Sequence, residues 1–326
     1  MTGNVRGAVF ALLAFAAFAT HDAVIKGLGG GLAPVQILFF ATLFGFPLVG
    51  LMLMRDRTDG TLVPRHPWWV ALRTLSAAVG GLSAFYAFTV LPLAQVYAIL
   101  FASPLLITLM AIPILGERVR LRRGLAVLVG LGGVLIVLRP GGAELSPGHL
   151  AALAAAVFSA LSAIIVRRIG GIERSVVLII YPMMANFLLT GALLPLVYRP
   201  MSGAEMAGTA VIAVLGFCGM MLVILAYRSG EAVIIAPMQY SQILWAVFFG
   251  ALFFGELPDA LTLLGAAVVI ASGTYIVLRE GRAGASRTRP VLAARSRAGT
   301  PTAPVLTPGS EAGPPGASGP GRPADD

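Results

Sequence analysis

Residues 94–138 read AQVYAILFASPLLITLMAIPILGERVRLRRGLAVLVGLGGVLIVL, and this stretch decides the fold. Two apolar runs, Ala94 to Leu115 and Arg122 to Leu138, stand on either side of Leu115-Gly116-Glu117-Arg118. Crossing about 30 Å of hydrocarbon takes roughly 20 apolar residues in a helix. The stretch therefore predicts two membrane-spanning helices joined by a short Gly-Glu hinge.

The same hinge recurs at Phe254-Gly255-Glu256-Leu257-Pro258, again between apolar runs. Working outward from both hinges gives ten runs of spanning length. They are Gly7 to Lys26, Pro34 to Met54, Trp68 to Val90, Ala94 to Leu115, Arg122 to Leu138, Pro147 to Val166, Ser175 to Tyr198, Ala207 to Tyr227, Ala232 to Phe254 and Ala260 to Leu278. Composition agrees: 58% of residues are hydrophobic, 11% are charged and the mean hydropathy is +0.90. Bilayer solvent accounts for such a chain better than a soluble core does.

Five spans per half is an odd number, so the second half must enter the membrane in the opposite sense. Charge agrees with that inversion. Arg118, Arg120, Arg122 and Arg123 follow Glu117, whereas Pro258 and Asp259 follow Glu256. The expected fold is an all-α polytopic membrane protein, ten transmembrane helices arranged as two inverted five-helix repeats. The first repeat takes residues 1–140 and the second residues 147–278. Inverted repeats mark alternating-access carriers, because two like halves of opposite orientation can exchange conformations.

Threading the spans alternately with the N-terminus inside puts thirteen basic residues on the cytoplasmic side and three, Lys26, Arg139 and Arg199, outside. The positive-inside rule then places both termini in the cytoplasm. Residues 279–326 are rich in Pro, Gly, Ala, Ser and Arg without apolar periodicity, which predicts a disordered cytoplasmic tail. Ala17-Phe18-Ala19 resembles a signal-peptidase site, but the preceding region has Arg6 as its one basic residue, and cleavage would spoil the repeat. Arginine outnumbers lysine 22 to 1, with abundant Ala and Gly, as in GC-rich bacterial genomes. A bacterial plasma (inner) membrane is the expected location.

The chain resembles the EamA branch of the drug/metabolite transporter superfamily over residues 7–278. The resemblance rests on Leu91-Pro92-Leu93-Ala94, Ser103-Pro104, Gly116-Glu117-Arg118 with Gly130 and Gly133, Ala236-Pro237-Met238-Gln239-Tyr240, and Gly255-Glu256-Leu257-Pro258 with Gly265 and Gly273. It implies ten helices around a central cavity between the halves and transport of a small organic solute. Arg73 with Gly80-Gly81 and Tyr86 is similar to the group that contains S-adenosylmethionine uptake carriers.

Ionisable groups inside spans are costly and mark candidate functional positions. Asp22 and Lys26, four residues apart on the first span, are positioned to form an ion pair on one helix face, as a gate or coupling site or as an interfacial anchor. Arg73, with Ser76, Gly80 and Ser83 along one stripe, lines a polar path or packs closely; Arg73 alternatively anchors at headgroups beside Trp68 and Trp69. Tyr97, Phe101, Pro104 and Thr108 follow one stripe of the fourth span. Gln239 and Gln242 share a face of the ninth, near Tyr240 and Trp245, and Asn186 shares a face of the seventh with Thr190. Amides and aromatics suit an amphipathic solute and serve equally as interhelical glue. Candidate substrate contacts are thus Arg73, Tyr97, Asn186, Gln239, Tyr240, Gln242 and Trp245. Gly116, Glu117, Gly255 and Glu256 read as hinge groups, and Glu231 beside Arg228 as a solvated turn.

Other function classes lack their chemistry. His21, His66 and His149 lie on separate segments, there is no GxxxxGK[ST] loop, and Cys218 is the one cysteine. Gly316-Ala317-Ser318-Gly319 resembles a rhomboid serine motif but sits in the tail with no histidine after it. An enzyme or primary pump is therefore disfavoured, a scaffold or receptor is the alternative to a carrier, and no cofactor or metal is expected. The arginines flank apolar runs rather than forming a basic face, so nucleic acid is not an expected partner. The expected partners are a small-molecule substrate and the lipid bilayer, with a homodimer left open.

Overall fold

The computed structural model describes residues 3–54, 61–117, 119, 121–139 and 145–281. The tail beyond Gly281, together with Arg55, Arg57, Arg118 and Arg120 of the charge count, lies outside the described residues. Ten helices among the described residues are long and apolar enough to span a membrane. In chain order they are α1 (Gly3–Gly29), α2 (Pro34–Met54), α3 (Pro67–Val90), α4 and α5 (Leu93–Leu100, Ser103–Leu115), α6 (Leu121–Leu138), α7 (Pro147–Ile169), α8 (Ser175–Val197), α9 (Gly203–Ser229), α10 and α11 (Ala232–Ile235, Gln242–Phe254) and α12 (Ala260–Glu280). The last helix runs through Glu280, so Arg279 and Glu280, assigned to the tail by sequence, belong to it.

Two of the expected spans are broken rather than continuous. The fourth is interrupted at Phe101 and Ala102, and the ninth passes through a 3₁₀ turn, Ala236–Ser241. Proline supplies the reason in each case. A proline ring clashes with the carbonyl four residues back and offers no N–H to it. For Pro104 that carbonyl is Leu100, the last residue of α4; for Pro237 it is Val233, just ahead of the 3₁₀ turn.

After the breaks the two halves repeat each other residue for residue. Helices α5 and α11 are each 13 residues long, and each stops at a glycine with left-handed backbone, Gly116 at φ 67° and Gly255 at φ 65°. Only glycine takes that conformation without steric cost, which is why the hinge begins with it. The following Glu N–H folds back on the helix six residues earlier: Glu117 N donates to Ala111 O at 3.2 Å and Glu256 N to Gly250 O at 2.9 Å.

Packing repeats in the same way. Helix α1 lies against α9 as α3 lies against α7, and α2 meets α9 as α8 meets α3. Helices α6 and α12 cross at the seam, where a Cβ on Gly265 would stand 2.6 Å from Gly133 O and one on Gly133 2.9 Å from Gly265 O. Further along, the Ser272 hydroxyl donates to Ala126 O. Rising residue numbers on α6 meet falling numbers on α12, so equivalent helices run antiparallel and the halves are inverted. The main buried core draws on both halves, from Ile25 and Phe88 to Tyr240 and Ile276.

Candidate functional site

A chain of polar side chains crosses between the halves inside this core. Asp22, on α1, is fully buried (0% exposed) beside the buried His21. His21 Nδ1 lies 2.8 Å from Asp22 Oδ1, so with Asp22 ionised that nitrogen carries the proton. The Tyr97 hydroxyl, from α4, donates to Asp22 Oδ2. Gln242 Nε2, from the first turn of α11, donates to the Tyr97 oxygen at 3.2 Å. The carboxylate of the first half is thus tied to an amide of the second through one phenol.

Local structure explains why these groups meet. Tyr97 and Gln242 lie beside the two helix breaks, Tyr97 one turn before the Phe101 interruption and Gln242 directly after the 3₁₀ turn. Aromatic rings wall the group: Phe85 stands edge-on to His21 (6.1 Å between centroids), Phe88 to Tyr97 (5.5 Å) and Phe101 to Tyr240 (5.0 Å). Gln242 Oε1 and the Tyr240 hydroxyl have no hydrogen-bond partner among the described residues, leaving an acceptor and a hydroxyl uncommitted near the cluster. Gly273 makes room for Tyr240, since a Cβ there would meet the hydroxyl at 1.9 Å.

One turn further along α1, Lys26 forms a second link between the halves. Its Nζ lies 2.8 Å from Glu256 Oε1 and donates to Leu91 O at 2.7 Å, while Glu256 Oε2 accepts from the Leu93 N–H at 3.3 Å. The expected Asp22–Lys26 pair is therefore replaced by two separate links. Asp22 points into the core, where Tyr97 and His21 satisfy it, and Lys26 reaches past it to the hinge carboxylate of the other half. At the opposite hinge Glu117 pairs with Arg123 of its own half at 3.0 Å, and Arg123 also donates to Thr108 Oγ1 at 3.2 Å. Both hinge glutamates are ion-paired as well as sitting at helix ends.

Of the expected substrate contacts, the structure brings Tyr97 and Gln242 into direct contact with Asp22's cluster and sets Tyr240 beside it through Phe101. Gln239 is buried in the 3₁₀ turn, and Trp245 is half-buried, stacked on Phe249 at 6.0 Å. Asn186 is buried on α8, which packs against α2 and α3, with Thr190 bonded to its carbonyl. Arg73 is buried on α3, while Trp69 takes the Arg168 guanidinium over its ring at 4.8 Å and Trp68 is exposed. Sequence reasoning missed His21 as a working partner of Asp22, and Glu256 as the partner of Lys26. The second could have been found, because Lys26 and the Glu256 hinge both fall on the same side of the threading. Gln36 was also missed: fully buried, it exchanges two hydrogen bonds with the Arg199 backbone (2.7 and 3.1 Å) and fixes α2 to the end of α8.

Comparison with known proteins identifies the EamA-like transporter family at residues 5–139 and again at residues 146–279. An S-adenosylmethionine uptake transporter of Rickettsia felis is 25% identical over 83% of this chain and 92% of its own length. A riboflavin transporter of Rhizobium johnstonii is 28% identical over 85% and 93%, and the pseudopaline exporter CntI of Pseudomonas aeruginosa 27% over 81% and 93%. A solved structure titled "Crystal structure of protein" superposes with a TM-score of 0.58 at 18% identity, over 84% of this chain and 97% of that one, a likeness of fold.

Proposed function

The chain belongs to the EamA-like transporter family, and from that membership we propose that it carries its solute by alternating access, with the Asp22–His21–Tyr97–Gln242 group as the solute and coupling site. It is a multi-pass membrane protein of the small-metabolite transporter class. The observation that carries the reading is the position of Tyr97, which bonds the Asp22 carboxylate of α1 and accepts from Gln242 of α11. A solute or proton taken up by Asp22 competes with Tyr97 for the carboxylate, and so loosens the contact between the halves. Occupancy of the site is thereby coupled to the conformation of the carrier. A buried carboxylate beside an imidazole suits a cationic group on the solute, or a proton, because either offsets a charge held away from water.

The basic residues favour a bacterial plasma membrane with both termini in the cytoplasm. Proteoliposome counterflow tests the proposal, with S-adenosylmethionine, riboflavin and other amphipathic metabolites as the panel. Wild type is expected to exchange at least one of them, and Asp22→Asn to lose uphill uptake driven by a pH gradient more than it loses counterflow. Equal uphill uptake by wild type and Asp22→Asn sinks the coupling role; folded protein that exchanges nothing sinks transport of this class.

A further inference from the structure

Helix α3 carries a cation that the cluster around Asp22 does not use. Arg73 is 2% exposed, and its Nε and Nη1 have no hydrogen-bond partner among the described residues. A carboxylate at the start of α3 is already committed: Glu173 Oε2 accepts from the Arg65 N–H at 3.1 Å, and its Oε1 accepts from the His66 N–H and faces His66 Nδ1 at 3.5 Å. Water can satisfy an N–H but cannot neutralise a guanidinium held inside a spanning helix. The neighbourhood is short of partners too. Thr74 Oγ1, on the next residue of α3, is unbonded as well.

We infer that Arg73 is an anion station in the opposite half of the membrane from Asp22, taking an oxyanion, carboxylate or phosphate, carried by the solute. The inference rests on the transporter reading and adds the chemical class of the cargo. Guanidinium is the side chain whose planar set of donors matches such an oxyanion. Depth separates the two stations. Phe85, whose ring meets His21, lies twelve residues beyond Arg73 on the continuous α3, about 18 Å at the helical rise. A small metabolite cannot touch both at once. The cationic and anionic parts of a zwitterionic solute would be held in turn, Asp22 acting toward one face and Arg73 toward the other.

The test is thermal unfolding of the full chain, delipidated in a maltoside detergent, with sodium succinate or inorganic phosphate titrated against sodium chloride at equal ionic strength. A parallel arm adds anionic phosphatidylglycerol. Wild type is expected to show a rise in Tm that grows with the logarithm of oxyanion concentration and reaches roughly 5 °C at a hundredfold excess over Kd. Arg73→Met is expected to lose the rise while starting from a Tm no lower than wild type, and Arg73→Lys to keep part of it. If the methionine variant yields no folded protein, Arg73→Gln takes its place. A rise with phosphatidylglycerol alone assigns the guanidinium to a lipid headgroup and overturns the inference, as does no rise, or an equal rise in wild type and the methionine variant. Because the readout is binding, a failure of transport with oxyanion binding intact counts against the carrier reading alone.

Discussion

Neutralising Lys26 should open the end of the protein that it latches. Lys26→Met removes the ion pair to Glu256 and the hydrogen bond to Leu91 O, and both join the α1 end to other elements. The lysine side chain is 9% exposed and the glutamate 26%, so the pair is partly screened and contributes about 1 kcal/mol. The hydrogen bond from a charged donor adds about another 1 kcal/mol or more. Only the ion pair crosses between the halves, so it alone favours the closed arrangement, by about 1 kcal/mol or roughly 5-fold in the closed-to-open ratio, while the bond to Leu91 O stays within the first half. The assay places a single cysteine at the buried Ala94, beside the Leu93 N–H that Glu256 holds, in a Cys218→Ala background, and follows its reaction with a polar maleimide. Lys26→Met and Glu256→Gln should each speed labelling by roughly 5-fold, with the double variant no faster than the faster single. Unchanged labelling in both singles, or fully additive effects, would refute the latch.

Tyr97→Phe strips one donor from a buried carboxylate, so the folded state should lose about 1–3 kcal/mol, and counterflow should fall while the protein remains monodisperse on size exclusion. Gly265→Ala drives a Cβ to 2.6 Å from Gly133 O and should cost about 1–3 kcal/mol at the α6–α12 seam, whereas Gly124→Ala, with nothing within 4 Å, should leave the melting temperature unchanged or slightly raised. Reporter fusions at Gly60, Arg168 and Gly281 should give cytoplasmic signals and fusions at Ala143 and Gly203 external ones; a cytoplasmic signal at Ala143 would overturn the threading.

The ten spans and their pairing into halves were legible because bilayer thickness imposes a length on every apolar run, and glycine hinges mark where the runs turn. The breaks at Phe101–Ala102 and Ala236–Ser241 were only half legible. Pro104 and Pro237 signalled weakened backbone bonding, but Pro47, Pro113, Pro182 and Pro195 sit inside helices that stay helical, so proline alone does not reveal a break. The site was legible residue by residue and not as a set. Asp22, Tyr97 and Gln242 stood out singly, yet their meeting depends on how α1, α4 and α11 pack, which no spacing along one helix encodes. Spacing misled at Asp22 and Lys26, where four residues put two opposite charges on one face and tertiary partners outcompeted the local pair.

The two hinges share backbone geometry to within a few degrees and differ in what their glutamates hold. Glu117 is paired within its own half, to Arg123 on the adjacent helix, while Glu256 reaches across to Lys26 of the other half. An inverted repeat with identical chemistry at both ends would give its two end states equal energy. Here a substitution pattern laid over a symmetric backbone removes that equality, because a latch between halves is broken when they part and a pair within one half need not be. On the alternating-access reading proposed above, the fold would supply two interchangeable conformations, and these few charged side chains would decide which is favoured at rest. Asp22 lies one turn from Lys26 on the same helix, so under the proposed coupling role a solute or proton that shifts α1 would act on the latch through a rigid element about 6 Å long, linking occupancy of the core to the state of the gate.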